Sequence, residues 1–119
     1  MNYPFDRSRR LLTKRDYAGV FACPQKMVSR EFVILYSRNS LGKARLGLAL
    51  SKKMLPKAHD RNRMKRLLRE TFRVEQLPPV DIVVLARHGL ASIDNEKIIS
   101  SLVRSWKKLL HTANSSVAV

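Results

Sequence analysis

One cysteine, three histidines, four glycines and nine acids among 119 residues leave little from which to build an active site. The lone thiol, Cys23, excludes an internal disulfide and a thiolate zinc cluster, and fits a reducing cytosol. His59, His88 and His111 are far apart and lack metal-ligand spacing, and the scattered acids show no carboxylate pair for metal-assisted hydrolysis. Gly42, Gly47 and Gly89 stand alone, so there is no glycine-rich phosphate loop. No apolar run approaches the roughly 18 residues that span a bilayer, and the first residues lack the pattern of an export signal. A cytoplasmic chain with no membrane partner is expected.

Positive charge is what the chain has in excess. Lys and Arg number 24 for a formal charge of +15, yet 45% of residues are hydrophobic. A disordered basic tail would not carry that apolar content, so the expectation is one folded cationic domain over residues 1–119. Its ordered core is expected over about 5–111, with 112–119 as a flexible tail that lacks periodicity. Such a charge balance points to a nucleic-acid partner ahead of an anionic membrane or an acidic protein.

The charge is concentrated. Between Lys52 and Arg73 lie nine lysines and arginines against two acids, Asp60 and Glu70. Met64, Leu67, Leu68, Thr71 and Phe72 keep the i, i+3, i+4, i+7, i+8 spacing of one helical side. Arg61, Lys65, Arg69 and Arg73 step by four along another side, with Asn62 and Arg66 beside them. One side would dock on a core while the other meets phosphates.

Around this helix the pattern predicts an α+β fold. A short first helix begins near Thr13, where Thr13 and Asp16 have capping-box spacing, carries Tyr17, Val20 and Phe21 on one face, and stops at Pro24. Residues 31–38 read as a strand with Phe32, Ile34 and Tyr36 on one face and Val33 and Leu35 on the other; after a turn at 39–42, residues 45–51 read as its hairpin partner. Asp60 is the expected cap of the basic helix. The nearly unbroken apolar run 81–86 should be a central strand covered on both faces. Asp94 should cap a last helix whose stripe runs from Ile98 to Leu110, with Trp106 as a core residue. The order α-β-β-α-β-α describes a sandwich, a single sheet packed by helices. If the first helix lies over the sheet, Tyr17, Phe21 and Tyr36 would line a groove for unstacked bases, although aromatics at this spacing also serve as core.

The run Arg61-Asn62-Arg63-Met64-Lys65-Arg66-Leu67-Leu68-Arg69-Glu70-Thr71-Phe72-Arg73 closely resembles the RNR signature of the protein subunit of bacterial ribonuclease P. Its neighbours agree in order and spacing. Arg10-Leu11 and Asp16-Tyr17-Ala18-Gly19-Val20-Phe21 resemble the family's N-terminal pattern, with tyrosine where phenylalanine is usual. Arg45 to Lys53 resembles the strand that leads into the basic helix, and Asp81 to Arg87 the later strand.

This resemblance implies a left-handed β-α-β crossover, which spacing could not show because right-handed crossovers are the overwhelming default. It also implies a ribonucleoprotein that removes the 5′ leader of precursor tRNA, hydrolysis being performed by the RNA subunit and Mg2+ bound mainly by that RNA and the substrate. Carried over by position, Arg61, Asn62, Arg63, Lys65, Arg66, Arg69 and Arg73 would face the catalytic RNA, supported by Lys52 and Lys53. Tyr17, Phe21 and Tyr36 would form the cleft for the single-stranded leader. No residue of the protein is expected to be catalytic. The rival readings are a ribosomal or assembly RNA-binding protein, and a stand-alone endonuclease for which an acidic metal cluster is missing.

Overall fold

The computed structural model describes residues 7–22 and 25–117. The expectations for Cys23 and for a helix stop at Pro24 lie outside these residues. Arg7–Arg9 form a single 3-10 turn, and Arg10 then bridges Leu46 in parallel. Helix α1, Lys14–Ala22, starts at the capping box the spacing predicts. Thr13 Oγ1 accepts the Asp16 N–H at 3.1 Å, and Asp16 Oδ2 accepts the N–H groups of Leu12 at 3.0 Å and Thr13 at 3.2 Å.

Strands β1, Gln25–Val28, and β2, Phe32–Arg38, form an antiparallel hairpin. Strand β3, Arg45–Ala49, leads into helix α2, Ala58–Arg73, followed by strand β4, Val80–Ala86, and helix α3, Asn95–Val117. The sheet has the order β1-β2-β4-β3.

Two expectations change here. β1 is an additional strand, and its Gln-Lys-Met-Val sequence buries only Met27, as suits an edge. β3 is not the hairpin partner of β2; it pairs in parallel with β4, which pairs antiparallel with β2 on its other side. The apolar β4 is buried on both faces, so it takes the central slot beside β2 and leaves β3 at the far edge. β3, α2 and β4 thereby form a β-α-β crossover.

Helices cover both faces. On one, Phe32, Ile34, Tyr36, Leu46, Ile82 and Val84 pack against Met64, Leu67, Leu68 and Phe72 of α2 and Ile98, Leu102, Trp106 and Leu109 of α3. Trp106 is fully buried, as predicted, and its indole N–H donates to Thr71 Oγ1 at 2.9 Å. Its ring meets Phe72 edge to face at 5.7 Å, an arrangement worth about 0.5–1.5 kcal/mol beyond area burial. On the other face α1 and the N-terminal segment cover a smaller cluster, Leu11, Val20 and Val83, with Tyr17, Leu35, Ala49 and Leu85 packed against it.

The caps of the two long helices differ. Asp94 Oδ1 accepts the Lys97 N–H at 3.0 Å, which is the expected cap of α3. α2 begins earlier than expected, behind Lys57, whose side chain makes no cap bond, so Asp60 is a buried first-turn residue instead of the cap. An acid there still favours the helix dipole. The backbone of α3 stays helical to Val117, past the end of the apolar stripe, so residues 112–117 are not irregular. No described helix is long and apolar enough to cross a membrane.

Candidate nucleic-acid interface

The exposed side of α2 carries Asn62, Arg66 and Arg69, flanked by the half-buried Lys65 and Arg73. Just before it, the Leu55 N–H donates to Ser51 O at 2.9 Å and the Met54 N–H to Ser51 Oγ at 3.2 Å. That tight turn holds Lys52 and Lys53 out in solvent.

Arg61 and Arg63 belong to a different environment. Arg61 Nη1 donates to the carbonyls of Leu55 at 2.7 Å and Pro56 at 2.9 Å, tying the turn to the first turns of α2. Arg63 Nη1 donates to Ile93 O at 3.1 Å and Asn95 Oδ1 at 2.7 Å, and its Nη2 to Ala91 O at 3.1 Å. A guanidinium carries five N–H donors, so most of the Arg63 fork is occupied in holding the start of α3 against α2. The side chains of the motif that stay on the outer side of the helix, away from these loop carbonyls, are therefore fewer than the motif suggests: Asn62, Lys65, Arg66 and Arg69.

The N-terminal segment widens this surface in a way that sequence spacing did not reveal. Arg9 lies 4.8 Å above the centre of the Phe72 ring, and its Nη1 donates to Arg73 O at 3.1 Å. Leu11 N–H donates to Leu46 O at 3.0 Å, which lays the segment along the free edge of β3. Arg10, Leu11, Leu12, Tyr17, Leu46, Leu48, Lys65 and Arg69 then surround a depression of about 260 Å³. Its walls come from α1 and α2, and its floor is β3.

Tyr17 is fixed at that boundary. Its phenolic oxygen accepts the Leu48 N–H at 3.1 Å, and its ring lies so close to Gly47 that a Cβ there would come within 2.8 Å of it. Gly47 is thus required by close approach. Phe21, on the same helix, is 46% exposed.

Tyr36 is not part of this arrangement, which corrects the expected cleft. Strand side chains alternate between faces, and Tyr36 is buried with Phe32 and Ile34 under α2 and α3, on the side of the sheet away from α1. Leu35 is the β2 residue that packs beneath α1. The register sets Val28, Val33, Leu85 and Ala49 on that same α1-facing side, with Val28 52% exposed and the others half-buried. The result is a shallow apolar shelf beside α1, the helix that carries Phe21.

Beneath α1 the sheet carries one ionic cluster. Arg45 Nε and Nη2 donate to the two oxygens of Asp81 at 2.8 and 2.7 Å, Asn39 Nδ2 adds a bond to Asp81 Oδ1 at 2.8 Å, and Arg45 Nη1 reaches Asp16 Oδ1 at 3.5 Å. The hydrogen bonds it donates to Asp81 raise the pKa of Arg45. The Leu12 N–H, with smaller contributions from Thr13 and Arg45, outweighs burial and lowers the pKa of Asp16. This cluster locks α1 to β3 and β4; it binds them together and leaves no free acid pair. Among the described residues no three of His, Cys, Asp or Glu come together as a metal site.

A family model described as Ribonuclease P matches residues 5–110. The chain belongs to the ribonuclease P protein family. The ribonuclease P protein component of Legionella pneumophila strain Lens is 53% identical over 107 residues, covering 90% of this chain and 94% of that one. That of Photorhabdus laumondii is 45% identical over 114 residues, covering 94% and 96%. Among solved structures, the RNase P protein of Staphylococcus aureus superposes with a TM-score of 0.77 at 29% identity, covering 86% of this chain and 97% of that one. The RNase P protein of Thermotoga maritima gives 0.73 at 31% identity, covering 83% and 96%. Family membership makes the chain a component of a ribonuclease whose partner is the RNase P RNA, and it agrees with the sheet packed by helices seen here.

Proposed function

We propose that the chain is the protein subunit of a ribonucleoprotein that removes the 5′ leader from precursor tRNA, binding the catalytic RNA through α2 and the leader through the shelf under α1. The observation that carries this reading is the depression walled by Tyr17 on one side and by Lys65 and Arg69 on the other. On this reading a surface suited to bases and one suited to phosphates lie on either side of one edge strand, so that one protein touches substrate and RNA subunit together.

The division of labour follows from the chemistry available. Exposed cations on α2 neutralise phosphates and release counterions, so affinity for RNA falls with salt by a slope of about 0.7–0.9 per phosphate contact. Phe21 and the Tyr17 ring offer stacking that any base satisfies, on the order of 1–3 kcal/mol per base, as suits a subunit that serves many precursors. The shelf residue beside them is Leu35, taking the place that sequence reading gave to Tyr36. The Mg2+ that hydrolysis requires is assigned to the RNA subunit and the substrate, as the family resemblance implies.

The test is cleavage of 5′-end-labelled precursor tRNA at low magnesium with the cognate RNA alone, the protein alone, and both together. Cleavage at the mature 5′ end that is strongly accelerated only by the combination is the expected result. No stimulation by the protein would replace this reading with a ribosomal or assembly RNA-binding role.

A further inference from the structure

A second basic surface lies at the opposite edge of the sheet from α2. Met27, Val28, Ser29, Arg30, Glu31, Ser101, Arg104, Ser105 and Lys108 surround a depression of about 430 Å³ between the β1–β2 turn and α3. A smaller one, bounded by Arg30, Glu31, Asp94 and Lys97 among others, adjoins it and shares Arg30 and Glu31. Together they form a furrow along α3, whose contributing positions Lys97, Ser101, Arg104, Ser105 and Lys108 follow the i, i+4, i+7, i+8, i+11 stripe of one helical side. That stripe is about 16 Å long at 1.5 Å per residue, longer than a single small anion needs.

The polar groups of this furrow divide into committed and open ones. Ser105 Oγ donates to Ser101 O at 2.9 Å and Ser101 Oγ donates to Glu31, so the serines and the acid satisfy one another. Asp94 is occupied as the cap of α3. Arg30, Arg104, Lys108 and Lys97 are exposed and take part in no ion pair found among the described residues. The turn that presents Arg30 is held in place: the Ser29 N–H donates to Phe32 O at 2.9 Å, Arg87 Nη1 to Ser29 O at 2.8 Å, and the Arg87 N–H to Glu31 O at 3.1 Å. Small, buried serines keep the floor of the larger depression low while Arg30, Arg104 and Lys108 stand at its sides, a shape that admits a backbone strand and offers it charge.

Position separates this furrow from the α2 surface. β1 and β3 are the two edges of a four-stranded sheet, and three strand spacings of about 4.8 Å put roughly 14 Å between their backbones. The Debye length at physiological salt is about 8 Å, so exposed charges at the two edges act as separate sites. Both surfaces belong to the α2 and α3 layer, on the side of the sheet away from the shelf that would hold the leader.

We infer that the furrow lined by Arg30, Arg104 and Lys108 binds the sugar-phosphate backbone of a second segment of the catalytic RNA, so that the protein clamps two RNA elements across its helical layer. This rests on the α2 surface facing that same RNA, as proposed above.

The experiment measures the salt dependence of binding between the full chain and the catalytic RNA, without substrate, for Arg104→Ala with Lys108→Ala, and in parallel for Arg66→Ala with Arg69→Ala. The α3 pair is exposed, and circular dichroism with Arg104→Gln and Lys108→Gln as a second variant establishes that folding is intact. The expected result is a log–log salt slope shallower by about 1.4–1.8 for each pair, one phosphate per cation. A slope unchanged by the α3 pair but flattened by the α2 pair overturns the furrow alone. Flattening by the α3 pair alone supports the furrow and overturns the α2 reading. If neither pair changes the slope, both fall. A loss by the α3 pair that appears only when precursor tRNA is added overturns the assignment to the catalytic RNA and gives the furrow to the substrate.

Discussion

The Tyr17 phenol of α1 accepts the Leu48 N–H at 3.1 Å, closing a hydrogen bond on the edge of β3 that β4 does not cover. The hydroxyl that a phenylalanine at this position would lack is therefore used by the fold. Tyr17→Phe keeps the ring and leaves the Leu48 N–H without its partner. Urea unfolding should show a loss of about 0.5–1.5 kcal/mol. Precursor binding by the holoenzyme should fall further for Tyr17→Ala than for Tyr17→Phe, because only the former removes the ring.

Gly47→Ala should be costlier. The new Cβ would come within 2.8 Å of the Tyr17 ring and 2.9 Å of Leu11 Cδ1, and both partners are held by packing. A loss of about 1–3 kcal/mol is expected in thermal or urea unfolding, as for other overpacked sites. A stability equal to that of the parent chain would mean that the ring moves aside freely.

Arg63 and Arg66 are neighbours in the same motif with different expected roles. Arg63→Ala deletes the bonds to Ile93 O, Ala91 O and Asn95 Oδ1 and should lower stability by about 1.5–3 kcal/mol, with little change in the salt slope of RNA binding. Arg66→Ala should leave stability nearly intact and reduce that slope by about 0.7–0.9. Paired unfolding and salt titrations separate the two, and interchanged results would reverse the assignment.

Phe21→Ala should weaken holoenzyme binding of precursor tRNA while leaving mature tRNA unaffected, since only the precursor has a leader to stack. Tyr36→Phe should leave that preference unchanged, because its ring lies on the other face of the sheet. Competition binding with both tRNAs is the measurement, and equal losses on the two substrates for Phe21→Ala would assign that residue to folding.

Acid should release α1. The pKa of Asp16 is lowered in the fold, chiefly by the Leu12 N–H, so its contribution is fully present above the unfolded value of about 3.9 and is lost as pH falls through the lower folded value. Asp16→Asn should flatten the acid limb of the stability profile in that window, below about pH 4. An unaltered limb in acid titrations followed by circular dichroism would show that other carboxylates dominate it.

Much of this was legible in the chain because it is local. The stripe Met64, Leu67, Leu68, Thr71 and Phe72 is fixed by helical period, the Thr13 and Asp16 box by capping chemistry, and the central place of β4 by its apolar run. What was not legible depends on distant partners. β1 is too polar to read as a strand, and its existence follows from pairing with β2. Whether Leu35 or Tyr36 meets α1 depends on which face the helix covers, and alternation alone leaves that choice open. Arg61 and Arg63 look like their neighbours on a helical projection, and only the loop carbonyls beside them draw them in. The hand of the β3-α2-β4 crossover is carried by the family, not by spacing.

The strand between β2 and β3 is also the last to be made. β2 pairs residue 32 with residue 86, and β3 meets no sheet until β4 arrives, so on a ribosome only the β1–β2 hairpin has a strand partner until the chain has passed Ala86. Pairings this far apart in sequence pay loop-closure entropy before they gain contacts and fold slowly. Over that interval the emerging, strongly cationic chain has its α2 cations displayed and its core unformed. A nearby polyanion would screen their mutual repulsion and favour the compact state, so that RNA within reach would act on its protein subunit while that subunit is still being made.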